Sequence, residues 1–86
     1  MDNVERFLNE DGLVKQWPKK MRDKAVVLSY LATKFEFNRS YHEREVNDLL
    51  KQWHTFGDWP LLRRELFEQG FLDRNLSGTD YRRVSK

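Results

Sequence analysis

The sequence predicts an α+β domain: three helices followed by a C-terminal β-hairpin, with a short edge strand near the N-terminus. Two observations carry this expectation. Apolar residues recur at helical spacing in three stretches between Lys19 and Gly70, after which two short β-prone runs flank a Gly-bearing loop. From Asp58 to Val84 a helix start, an arginine pair, a Gly-Phe-Leu helix exit and a hairpin follow one another. That order is winged-helix-like, with the third helix as recognition helix and the hairpin as wing. At 86 residues the chain is expected to be a single domain, 1–86, with one modest core.

Each element has its own local cause. Val4, Phe7 and Leu8 share a helical face and predict a short N-terminal turn, closed by Asp11-Gly12. Residues 13–17 alternate apolar and polar until Pro18 intervenes, the pattern of a short edge strand. Helix one is expected from residue 19 or 20 to 35, with Met21, Ala25, Leu28, Ala32 and Phe35 as its buried stripe and Val27 and Leu31 widening it. The periodicity breaks at residues 38–40. There Ser40-Tyr41-His42-Glu43 matches a capping box, in which the Ser hydroxyl and the Glu carboxylate satisfy free amides at the start of helix two. Val46, Leu49, Leu50 and Trp53 mark the inner face of that helix, and Glu43, Arg44, Asp48 and Lys51 its outer one. Helix three opens at Gly57-Asp58-Trp59-Pro60, with Asp58 as cap and Pro60 in the first turn, where its missing N–H costs nothing. Trp59, Leu62 and Leu66 should face inward and Arg63, Arg64, Phe67 and Glu68 outward; Gly70 is the expected stop. Strands are expected at 71–74 and 81–84, joined by a loop at 75–80.

Composition narrows the functional classes. Apolar residues make up 38% of the chain and aromatics 14%, so aromatic side chains are expected to carry much of the core. Without cysteine there is neither a disulfide framework nor a thiolate metal site, and the longest apolar run is far short of a membrane span. A cytoplasmic protein without membrane contact is the expectation. The net charge of +2 is too small for the whole molecule to adhere to polyanions, but residues 19–35 concentrate Lys19, Lys20, Arg22, Lys24 and Lys34 against a single acid, Asp23.

The candidate contacts follow from this arrangement, with double-stranded DNA as the partner. Arg63 and Arg64 on helix three can offer planar donor forks to base edges or phosphates. Arg74, Arg82 and Arg83 can follow the backbone from the wing, and Lys19, Lys20 and Arg22 can add phosphate contacts. Each has a plainer reading. Glu65, Glu68 and Asp73 are near enough to pair with the two arginines, wing arginines commonly blunt a sheet edge, and basic residues on helix one suit a solvated face. Trp53, Trp59 and Tyr81 are expected in the core rather than as base-stacking platforms, whereas Phe67 lies among the outward arginines. His42 and His54 are read as surface histidines, roughly 18 Å apart at about 1.5 Å per residue and so unable to share a metal. No nucleophile with a base, phosphate-cradling glycine loop or isolated carboxylate pair is visible; neither a metal, a cofactor nor enzyme activity is expected. The alternative to nucleic-acid binding is a protein-interaction or small-ligand-sensing module of a transcription regulator. Nothing in the sequence specifies an oligomeric state.

Several strings together resemble a known family. They are Arg6-Phe7-Leu8, Leu13-Val14-Lys15-Gln16-Trp17-Pro18-Lys19-Lys20, Tyr30-Leu31-Ala32, Tyr41 with Glu45-Val46-Asn47, Leu62-Arg63-Arg64-Glu65-Leu66, Gly70-Phe71-Leu72-Asp73-Arg74, and Gly78 with Tyr81-Arg82. In this order they resemble the bacterial domain of unknown function 2087, over nearly the whole chain. Members of that family stand alone or follow a helix-turn-helix regulator, so the resemblance implies an association with transcription, with a regulator protein as a second kind of partner. It implies no catalytic residues.

Overall fold

Residues 4–84 are described by the structure, a computed structural model. A 3₁₀ turn at Val4–Phe7 leads into α1 (Met21–Ala32), β1 (Ser40–His42), α2 (Glu43–Trp53), α3 (Trp59–Glu68), β2 (Leu72–Arg74) and β3 (Asp80–Arg83). The strands form one antiparallel sheet in the order β1-β3-β2, with Tyr41 opposite Tyr81 and Tyr81 opposite Arg74. Three helices with a C-terminal hairpin and a strand between the first two helices make the domain α+β and winged-helix-like.

Helix α1 is shorter than its periodicity suggests, because its ends lack strong signals. Lys20 occupies the N-cap without a side-chain hydrogen bond, and after Ala32 the chain tightens into successive i to i−3 bonds from Thr33, Lys34 and Phe35. Those turns still deliver Phe35 to the core. The buried stripe is rotated from the expected one: Val27, Leu28, Leu31 and Ala32 are inside, while Met21 is 61% exposed and Ala25 faces solvent.

The expected capping box at Ser40 is replaced by strand pairing. Ser40–His42 pairs with β3, and the box forms two residues later: the His42 N–H donates to Glu45 Oε1 at 3.1 Å and the Arg44 N–H donates to His42 Nδ1 at 3.1 Å. Tyr41 explains the shift. Its ring is buried edge-on against Phe35, and its hydroxyl accepts the Glu36 N–H at 2.8 Å, so the chain here is pinned to the core in extended form. The hydrogen bond to His42 holds the Glu45 carboxyl below its ordinary value, with Arg39 acting the same way; the bonded Glu36 raises the Arg39 guanidinium.

Pairing within the N-terminal stretch 13–17 is confined to Val14, which bridges Leu8 on one side and His54 on the other. Val14 is fully buried there, so the stretch closes the core beside the end of α2. His54 is correspondingly buried, at 5% exposure, in contrast to the surface position expected for it. Its Nδ1 bonds the Leu50 carbonyl, its ring meets Phe56 edge-on, and its Nε2 has no hydrogen-bond partner among the described residues. His42 is exposed, as expected.

Candidate nucleic-acid interface

Helix α3 is held by its ends and by one face. Asp58 caps it by accepting the Leu61 N–H at 3.3 Å, Pro60 occupies the first turn, and Leu62 and Leu66 are fully buried. Helical geometry then turns Pro60, Arg64 and Glu68 outward as a single ridge.

The arginine pair therefore divides. Arg63 lies at the flank of that ridge and reaches back to α2, where its Nη1 donates to Asn47 Oδ1 and its Nε stands 3.5 Å from Glu43 Oε1. Its side chain is 23% exposed, so it braces α2 against α3 instead of facing solvent. Arg64 is 62% exposed, and among the described residues its one ion pair is with Glu68 at 3.9 Å. A pair of that length and exposure contributes about 0–0.5 kcal/mol, so the guanidinium is free to exchange partners.

The wing arginines divide as well. Arg74 lays its guanidinium on the Phe67 ring, 4.0 Å from the centroid, which joins the start of the wing to the helix residue one turn beyond Arg64. The sequence placed Phe67 among the outward arginines; it is half-buried, packed on one side against the core and covered on another by Arg74. Arg82 is exposed on the outer face of the sheet, opposite Ser40 and Asp73, in a polar recess that also includes Asp80 and Asn75. Arg83 is turned away from that face: its Nη1 donates to the Phe35 carbonyl at 3.1 Å and its guanidinium covers Phe37 at 3.9 Å. The wing tip is organised by Asn75, whose side-chain oxygen accepts the N–H groups of Thr79 and Asp80; Leu76 there is fully exposed.

Lys19, Lys20 and Arg22 are exposed at the entry to α1. The other basic residues of that stretch are engaged by rings: Lys24 lies 5.6 Å from the Trp17 centroid, and Lys34 sits 4.4 and 3.9 Å from those of Tyr30 and Trp53. Arg74 is thus tied to α3 through Phe67, one turn beyond Arg64, whereas Arg82 projects from the opposite face of the sheet, because its neighbour Tyr81 is the residue paired with Arg74; Arg63 and Arg83 serve internal contacts. Carboxylates of Glu68, Asp73 and Asp80 are interleaved with the exposed arginines, so this surface is a mosaic of charge. The partners Glu43 and Asn47 were missed by sequence reasoning, although their spacing of four on α2 could have marked a shared face.

Among the described residues no group of side chains is arranged to hold a metal ion, and no helix is long and apolar enough to cross a membrane. No curated protein and no solved structure matches the chain. A family model does match, over residues 13–83, spanning α1 through β3 and both halves of the surface just described. The chain therefore belongs to the bacterial family described as "Uncharacterized protein conserved in bacteria (DUF2087)".

Proposed function

We propose that the domain is a transcription-associated nucleic-acid-binding module acting in the cytoplasm, which docks on duplex DNA through the outward ridge of α3 and the wing. The observation that carries this reading is the junction of Phe67 and Arg74 one turn beyond Arg64 within a winged-helix arrangement, where an exposed cation on the third helix is followed by an exposed cation at the start of the hairpin. Arg64, Arg74 and Arg82 make the contacts, Lys19, Lys20 and Arg22 add phosphate contacts, and Arg63 and Arg83 keep the elements in place. The interleaved carboxylates limit the number of phosphates engaged, so affinity is modest at physiological salt.

Fluorescence anisotropy with a random-sequence duplex at several salt concentrations tests the proposal. At about −0.9 per phosphate, one phosphate on each of Arg64, Arg74 and Arg82 contributes about −2.7 to the log–log salt slope, to which Lys19, Lys20 and Arg22 add. Replacing Arg64, Arg74 and Arg82 with Ala should flatten that slope and weaken binding at least tenfold. Equal affinity and equal slope in the triple variant would refute the proposal.

The second reading is a protein-interaction module of a transcription regulator without direct DNA contact. The mosaic of charge around Arg64 and the fully exposed Leu76 at the wing tip favour it, because both suit a protein surface better than a phosphate backbone. Wild-type protein that fails to bind duplex at low salt would select this reading.

A further inference from the structure

The outward face of α1 carries two apolar groups that the core does not use. Ala25 is exposed and Val26 half-buried, and together with Val4 and with Tyr30 and Phe71, whose other sides pack against the core, they line a groove of about 590 Å³ with Arg22 among its walls. That volume and apolar character lie within the range of small-molecule sites.

Of the polar groups around the groove, Tyr30 and Thr33 are committed and Ser29 presents an exposed hydroxyl between them and Arg22 along α1. The Tyr30 hydroxyl donates to the Gly12 carbonyl at 2.6 Å, and the Thr33 hydroxyl donates to the Tyr30 carbonyl at 2.6 Å. Arg22 is different: no carboxylate, carbonyl or ring partners it among the described residues, whereas Arg6, Arg39, Arg63 and Arg64 each have a carboxylate in reach. Asp23, its sequence neighbour, is taken by Arg6 at 2.6 Å. Lys19 and Lys20, also exposed, reinforce the positive charge at this end. One end of the groove is therefore cationic and the rest mainly apolar, with the hydroxyls of Ser29 and Thr33 along one wall. The complement to that pattern is a single anionic head on an apolar body.

We propose that this groove binds a monocarboxylate with an aliphatic body, its head held by the Arg22 guanidinium and its chain lying along Ala25, Val26 and Phe71. One planar fork of donors matches one carboxylate, and the exposed Arg22 guanidinium has no internal partner to displace among the described residues. The occupant would touch a structural joint: the Phe71 N–H donates to the Leu66 carbonyl at the end of α3, and the Phe71 carbonyl accepts the Val84 N–H beyond β3. This site is separate from the arginines of α3 and the wing but shares Arg22 with the proposed phosphate contacts, so decanoate binding is measured without nucleic acid and stands whether or not the domain binds a duplex.

Calorimetric titration of the full chain with decanoate, below its micelle concentration, tests the proposal, with backbone amide shifts mapping the site. Decanoate should bind saturably at one per chain and shift the amides of Ala25, Val26 and Phe71. Octanoate should bind about two- to fourfold more weakly per methylene removed, and decyltrimethylammonium at least tenfold more weakly than decanoate. Arg22→Gln should weaken decanoate about tenfold or more, with Arg22→Lys between it and wild type. Val26→Glu supplies Arg22 with an internal carboxylate one turn away and should abolish binding while the chain remains folded, as its amide spectrum would show. Unsaturable binding, equal decanoate affinity in wild type and Arg22→Gln, or shifts clustered away from α1 and Phe71 would each overturn the proposal.

Discussion

Replacing Arg63 with Ala should destabilise the domain, whereas the same change at Arg64 should not. The two residues are neighbours in sequence and share a helix, but only Arg63 is bonded to another element, through Asn47 Oδ1 and the Glu43 carboxylate 3.5 Å away. Hydrogen bonds to a charged group are worth about 1.5–3 kcal/mol when buried. At 23% exposure for Arg63 and 43% for Glu43, solvent screening reduces the combined loss to about 1–2 kcal/mol. For a domain of this size each kcal/mol moves the melting temperature by roughly 4–8 °C, so a drop of about 5–15 °C is expected. Alanine is the better helix former, so helix propensity opposes the drop. Arg64→Ala removes only an exposed 3.9 Å pair and should stay within about 0.5 kcal/mol of wild type. Thermal melts followed by circular dichroism, with an Asn47→Ala double-mutant cycle, measure both effects. Arg63→Ala melting with wild type, or Arg64→Ala falling as far, would show that Arg63 does not brace α2 against α3.

Acidification should weaken the start of α2. Because the folded-state Glu45 carboxyl is depressed below its ordinary 4.5, its contribution is fully present above that value and is lost as pH falls through the depressed one. Glu45→Gln keeps an acceptor for the His42 N–H but cannot titrate, so urea melts across that range should show a shallower acid decline than wild type. Gly12→Ala should cost about 1–2 kcal/mol, because the backbone there has φ near +80° and the new Cβ would stand 3.3 Å from the Tyr30 hydroxyl. Gly57→Ala, with a similar φ and no neighbour within 4 Å, provides the strain-only control in the same chemical melts. Leu66→Ala should cost about 2–5 kcal/mol, since a fully buried side chain between α3 and the sheet would leave a cavity; a midpoint unchanged in urea would contradict that packing.

The three helices, the hairpin and their order were legible in the sequence because periodicity, caps and turn residues act over a few neighbours. Asp58 with Pro60 at the start of α3, and Asn75 with Gly78 at the wing tip, do locally what their chemistry predicts. Strand β1 was hidden. Ser40-Tyr41-His42 reads as a helix start until β3 arrives from the other end of the chain to pair with it, and that distant pairing prevails over the local cap. The rotation of α1 was hidden for a related reason: Met21 and Ala25 fit the helical period, but the side of the period that is covered depends on which elements pack there.

What the sequence determined alone is therefore the set of elements and the residue types offered to a partner, including every arginine named for the interface. Tertiary structure decided which of those charges remain available. Arg63 and Arg64 have the same chemistry and adjacent positions, yet a rotation of about 100° per helical residue carries one to Asn47, sixteen residues back in the chain, and leaves the other in water. Long-range ion pairing depends on which faces meet after folding. A single chain of letters encodes that meeting only through the whole core.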